Sequence, residues 1–279
     1  MNSTQLTDLK YRLYENSVQS PEPHVELLTK IASETLGREA RSLREDFCGT
    51  FALSCEWVKA DECNVAFCVD LDSEPLQYGF AHHYRKLKPD QKDRISVARG
   101  DALTASPGLF DMIIACNFSF FILKKRAELL RYFKTSLASL GREGILVLEM
   151  AGGAGMVEKS VDRRVIHLRK NYKYTYFWDQ KHFDPITHDA VYAIHFKLPD
   201  GTKLKDAFTY DWRLWTIPEL KDLLIEAGFD DTCVYWETEH KGKPTGEFAR
   251  MEHGDNSHSW IAQVIGIKGI KSDPGKTPK

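Results

Sequence analysis

The chain has 279 residues, 42% of them hydrophobic and 28% charged, with a formal net charge of −2. That balance gives a phosphate backbone or an acidic membrane surface no general attraction, so neither nucleic acid nor membrane is an expected partner. No run approaches the roughly 18 apolar residues that span a bilayer, and the polar start Met1-Asn-Ser-Thr-Gln5 lacks the order of a signal peptide, so a cytoplasmic monomer or homodimer with a sizeable core is expected.

Residues 1–40 read as an N-terminal helical cap, with Tyr11 and Tyr14 in a mixed polar setting. Ser20-Pro-Glu-Pro-His24 opens a second helix, in which Val25, Leu28, Ala32 and Leu36 recur until Gly37 stops them. From Ser42 strand and helix patterns alternate. Strands are expected before Cys48, at Asn64–Val69, Ile95–Ala98, Phe110–Cys116 and Glu143–Met150. Between them lie a helix carrying Leu76 and Phe80, with His82 and His83 on its solvated side, and one carrying Leu129, Leu130, Phe133 and Leu137. Alternation of this kind implies a mostly parallel sheet with helices on both faces.

The pattern changes after Gly155. Residues 156–213 read as an antiparallel insert of four strands, with Pro199-Asp-Gly-Thr202 as a hairpin turn. Thr216-Ile-Pro-Glu219 combines a capping box with an early proline and starts another helix, which Gly228 ends. Two closing strands follow at Thr232–Glu237 and Trp260–Ile267, joined by a polar linker over 238–258 that reads as a lid or as disorder. The core is thus expected over 41–155 and 214–268, and a disordered tail over 269–279. Six cysteines, with no Cys-x-x-Cys pair, read as mostly buried thiols, and no metal site is expected.

Ligands of such sheets sit outside the carboxyl ends of the strands, where Gly49, Asp70, Asp101, Asn117 and Glu149 fall. Gly49 lets a ligand approach the backbone at a helix N-terminus. Asp70 lies 21 positions later, close to the roughly 20-residue interval that brings an acid to a ribose. A nucleoside-containing cofactor follows. Glu45-Asp-Phe-Cys-Gly-Thr50 resembles the acidic first motif of class I S-adenosylmethionine (SAM) dependent methyltransferases, and the resemblance continues through Asp70, Gly100-Asp101 and Phe110-Asp111. Family members usually carry Gly where this chain has Phe47 and Phe51.

The resemblance implies a Rossmann-like fold with a seven-stranded sheet, the antiparallel insert following its fifth strand, and SAM as cofactor with S-adenosylhomocysteine (SAH) as product. It implies that Phe47, Cys48, Gly49 and Thr50 pass the methionine part, that Glu45 rather than Asp46 accepts from its ammonium, and that Tyr14 closes from the cap. Asp70 would take the ribose hydroxyls, Leu71 the adenine face and Asp101 the adenine amino group with Ala102 beside it. Asn117 and Phe118 would border cofactor and substrate. Methyl transfer to an oxygen or nitrogen of a small-molecule acceptor is the implied reaction.

The acceptor side is less legible. Tyr11, Phe121, Glu149, Trp178 and Arg213 are candidate substrate contacts, and His182, His195 and Tyr174 candidate catalytic groups. The rings of the insert, among them Tyr172, Tyr174, Tyr176, Trp178 and Trp212, read first as a second small core and otherwise as a pocket roof. Two other functions share these features. A nicotinamide oxidoreductase would use the same ribose acid but expects a second glycine where Phe51 stands, and a noncatalytic SAM-binding or partner-binding protein would keep the fold without the reaction.

Overall fold

Apolar strand runs and amphipathic helices of this order pack as a sheet between two helical layers. The structure, a computed structural model, describes residues 3–104, 108–169, 172–240 and 243–269. Two helices come first, α1 (Ser3–Val18) and α2 (Pro21–Leu36), the second ended by Gly37 at φ 66°. The alternating region follows with β1 (Ser42–Asp46), α3 (Ala52–Ala60), β2 (Val65–Asp70), α4 (Ser73–His82), the single turn α5 (Pro89–Lys92), β3 (Ile95–Arg99), β4 (Phe110–Ala115), α6 (Arg126–Ser139) and β5 (Leu140–Gly152). Next come β6 (Val161–Arg169), β7 (Tyr172–Phe183), β8 (Asp189–Lys197) and β9 (Lys203–Arg213). The chain then returns through α7 (Ile217–Ala227), β10 (Asp231–His240), β11 (Lys243–Arg250) and β12 (Trp260–Lys268).

The main sheet runs β3-β2-β1-β4-β5-β12-β10-β11. Pairing is parallel from β3 to β5, and β12 lies antiparallel to both β5 and β10. The order reverses between β1 and β4, so the carboxyl ends of those strands open a crevice. One face buries Leu129, Tyr132 and Phe133 of α6 with Leu220, Leu223 and Leu224 of α7. The other buries Leu28 and Ile31 of α2 with Leu53, Trp57 and Val58 of α3.

Two details differ from expectation. The sheet has an eighth strand, because Lys243–Arg250, within the segment expected as a linker, pairs as β11 along β10. Phe248, partly buried, packs against the core beneath it, and the Thr238 and Thr245 hydroxyls meet at 2.7 Å, so this polar stretch has both an apolar anchor and cross-strand bonds. The other detail is His83, which bonds Glu15 of α1 instead of facing solvent, while His82 meets Asp8.

The four strands β6-β7-β8-β9 form a separate antiparallel sheet. α1 fastens it to the core. Leu9 and Leu13 pack on Tyr174, Tyr176, Ile194 and Phe196 of that sheet, while Lys10 and Tyr11 bond Glu74 of α4. The three parts meet over the carboxyl ends of β1, β2, β4 and β5. All described cysteines are free, and Cys63 is exposed rather than buried. Of the expected tail only Gly269 lies within the described residues.

Candidate functional site

The turn after β1 is tightly held. Cys48 N donates to Val69 O at 3.1 Å, Phe51 N to Cys48 O at 2.8 Å, and Gly49 N to Asp70 Oδ2 at 2.8 Å. Asp70 Oδ1 accepts from Asp72 N at 2.8 Å, so each carboxylate oxygen is held by a backbone donor beside the cavity. Burial raises the Asp70 pKa, against the pull of these backbone donors. Gly49 has φ 54° and open space where a side chain would stand. Phe47 and Phe51, at φ 54° and 44°, hold the left-handed conformation at the two places where the resembled family carries Gly, at a cost of roughly 1–2 kcal/mol each. Both positions thus hold a glycine-like backbone conformation with a phenylalanine side chain. Room for the Phe51 ring comes from Gly79 on α4, where an added Cβ would lie 2.4 Å from Phe51 Cε1.

Strand alternation sends the two acids of β1 to opposite faces, as expected. Glu45 accepts from Ser54 N at 3.1 Å and from the Ser54 hydroxyl. Burial, offset by those bonds and reinforced by Asp70 and Asp46, pushes its pKa up to about 7. Asp46 is fully buried with Arg44: Arg44 Nε donates to Asp46 Oδ1 at 2.6 Å and Tyr132 OH to Asp46 Oδ2 at 2.9 Å. Burial lifts Asp46 to about 6 against the pull of Arg44. Arg44 also reaches Ala102 O at 2.9 Å and Ser139 Oγ at 3.2 Å, so it ties β1 to the loop after β3 and to α6.

A cavity of 530 Å³ opens on this turn. Glu45, Phe47, Cys48, Gly49 and Thr50 line it on one side, and Asp70, Leu71 and Ala102 on another. Leu71 is 60% exposed at the rim, an apolar side chain with an open face. Thr50 bonds Glu15 of α1 at 2.7 Å, and Tyr11 and Tyr14 of that helix form the lid side. Tyr14 also bonds Tyr210, its ring centroid lies 4.5 Å from that of Phe208, and burial raises its pKa to about 12.

A second cavity of 790 Å³ adjoins the first, since Tyr14, Asn117, Glu149, Tyr210 and Trp212 line both. Asn117 and Phe118 take φ 53° and 58°, and this bent backbone turns Asn117 N onto the Glu149 carboxylate. Gln263 Nε2 supports Glu149 at 3.3 Å. Trp178 and Phe118 lie on the second cavity only.

No known protein-family profile matches the chain, and no curated protein matches its sequence. Solved structures do match its shape. The SAM-bound amino pentose methyltransferase CalS10 from Micromonospora echinaspora superposes with a TM-score of 0.66 at 14% identity, covering 91% of this chain and 96% of that one. A SAM-dependent methyltransferase from Clostridium acetobutylicum gives 0.66 at 15%, covering 93% and 98%, and the Streptomyces venezuelae protein DesVI gives 0.65 at 18%, covering 96% and 99%. The chain has the class I methyltransferase fold.

Not every residue expected of this fold reaches a cavity. Asp101 lines neither, because its Oδ1 caps the following turn through Leu103 N at 2.9 Å. Phe121 is fully buried beneath Trp212, its centroid at 5.8 Å, so it is core and not a substrate contact. Arg213 stacks on Trp215 and bonds Lys124 O and Glu219, away from both cavities. Tyr174 is a fastener: its hydroxyl donates to Leu13 O and meets Ser17 Oγ, both at 2.9 Å, locking α1 onto β7. His195 is spent between Asp179 and the Asp206 N–H, and His182 is an exposed residue of β7. Asp111, counted in the resemblance, sits at the opposite end of the sheet, tying Arg41 and Ser42 to β4.

Sequence reading missed Glu15, His24, Phe208 and Tyr210. The period-two series Phe208, Tyr210, Trp212 was the available signal for one wall, since alternate residues of a strand share a face. Nothing local marked Glu15 or His24, whose importance comes from helix placement. The insert's rings split between the two expected roles: Tyr174 builds a small core with α1, Trp178 and Trp212 face the cavity, and Tyr176 belongs to both.

Proposed function

We propose that this protein is a SAM-dependent methyltransferase that moves a methyl group onto an oxygen or nitrogen of a small-molecule acceptor. The observation that carries the reading is the joining of two cavities across Asn117 and Glu149, one built on a glycine turn and a strand-end aspartate, the other on aromatic rings. The first suits SAM in size and chemistry. The open space at Gly49, the acceptor carboxylate of Asp70 and the bare face of Leu71 are what a methionine chain, a ribose and an adenine respectively need. Glu45 and Tyr14, which line the same cavity, would face the amino end.

SAM supplies a methyl carbon bonded to a positively charged sulfur. The residues of this chain contribute alignment and exclusion of water, the two means by which an in-line displacement is accelerated most. Residues 41–155 and 214–268 would hold the cofactor, while 1–40 and 156–213 close the acceptor side. The Glu15 bond to Thr50 would make closure by α1 depend on the loop proposed to hold the cofactor, while its bond to His83 ties α1 to the end of α4.

Calorimetric titration with SAH and SAM, with NAD(H) as control, tests the reading. Saturable SAH binding that Asp70→Ala weakens is the expected result. Absence of SAH and SAM binding sinks it, and NAD(H) binding in its place would favour the oxidoreductase.

A further inference from the structure

We infer that the methyl acceptor is an amine, which enters the second cavity as a cation and hands a proton to Glu149; the inference rests on the methyltransferase reading above. Glu149 is the one acid that lines both cavities among the described residues, so it stands where donor and acceptor would meet. It is 9% exposed, held by Asn117 N and Gln263 Nε2, and its only ion-pair partner among the described residues is His24, whose Nε2 lies 4.0 Å away. A buried carboxylate with spare lone pairs, aimed into a cavity and lacking a close cation, is a receptor for one.

The walls have the matching character. Trp178, Tyr210 and Trp212 form one cluster, with centroids 4.4 Å apart for Tyr210–Trp212 and 5.7 Å for Trp178–Tyr210, and Tyr14 bonds to it through Tyr210. Ring faces attract ammonium groups. One wall already shows this preference, since the Arg164 guanidinium lies 4.6 Å from the centre of the Tyr176 ring. Asp162, Glu237 and Glu239 add further negative charge, against Arg163 and Arg164. An anionic acceptor would meet these acids as like charges, and a neutral alcohol would leave Glu149 without the cation it lacks.

The chemistry balances. The ammonium nitrogen gives one proton to the Glu149 carboxylate, and its freed lone pair forms the bond to the methyl carbon. The carbon–sulfur pair stays on sulfur, yielding SAH and a methylammonium product, and Glu149 then releases its proton to water.

Calorimetry on the SAH-loaded protein with two matched pairs tests this. Phenethylamine is set against 2-phenylethanol, and choline against 3,3-dimethylbutan-1-ol, which copies its shape without the charge. Each cation should bind at least about tenfold tighter than its partner. Glu149→Gln keeps an acceptor for Asn117 N and should cut that preference below about threefold, and Trp178→Ala, on the second cavity alone, should reduce it independently. Equal binding, tighter alcohols or no binding of either cation overturns the amine. Failure of SAH to load overturns the methyltransferase reading and the acceptor role with it, whereas SAH loading without cation preference overturns the amine alone.

Discussion

The two ends of the joined cavities are built on different physics. The turn end is made of one short stretch and the strand beside it: backbone N–H groups, a glycine and Asp70, all within 30 residues of chain. The ring end is assembled from α1, the ends of β4 and β5, and strands that include β6, β7, β9, β10 and β12, which touch only after folding. The first is a local solution that a motif can encode. The second exists only as tertiary structure, and so it is the end that variation in the insert can reshape without disturbing the turn.

The sharpest way to break the turn end is from behind. Arg44 and Asp46 are buried together with Tyr132, and Arg44 also holds the Ala102 carbonyl of the cavity wall. Arg44→Met leaves Asp46 buried without its cation and should cost about 3–5 kcal/mol in urea unfolding. Arg44→Met with Asp46→Leu should recover most of that loss, because removing both charges removes the desolvation cost. No recovery would mean that the loop contacts, and not the charge, make the difference.

Glu45 separates function from stability at the same end. Its folded pKa of about 7 lies above the ordinary 4.5 because burial disfavours the charge. The stability it contributes is therefore fully present below about 4.5 and lost as pH rises through about 7, a change of about 3 kcal/mol. Asp46, raised to about 6, acts in the same direction. Glu45→Gln should be more stable than wild type by about that amount at pH 8, and the two should converge near pH 5. A urea-midpoint difference that does not change with pH would refute the assignment. The cavity role predicts the opposite trend in binding: SAH affinity of the wild type should rise from pH 6 to pH 8 as Glu45 ionises, and the variant should lose that rise.

Asp70→Ala sharpens the contrast between the ends. It should weaken SAH binding by about 1.5–3 kcal/mol, the worth of charge-assisted hydrogen bonds, while leaving ligands of the ring end unaffected. Weakening at both ends would show that the turn also shapes the far cavity.

What could be read from sequence follows the same division. The alternation of strands and helices, the Gly37 and Gly228 stops and the Thr216–Glu219 box are short-range signals, and each is found where periodicity and capping place it. Asp101 and Arg213 show the limit: each has the right residue type near the right strand end, but a local turn claims the one and a neighbouring ring the other. The β11 pairing escaped because an edge strand is polar by necessity and resembles a loop in composition. Arg44, two positions from Asp46 on one strand face, was a legible pair that only burial makes decisive.

The smallest effect tests how the turn manages without two glycines. Phe51 occupies a left-handed position and is fully buried, and its ring fills the space that a side chain at 79 would need. The glycine has in effect moved from the loop to the helix that packs against it. Gly79→Ala places a methyl group against both the Phe51 ring and the Thr50 carbonyl, so it should cost about 1–3 kcal/mol and loosen the turn. Phe51→Gly removes the ring and the strain together, losing packing but restoring room. Combining the two should cost less than the sum of the single changes by about 1 kcal/mol or more, a coupling that a double-mutant cycle measures. If the changes simply add, Gly79 is a passive helix residue. If they couple, Phe51 and Gly79 are one device, and a chain that carries Phe at this loop position needs a residue without a Cβ across from it.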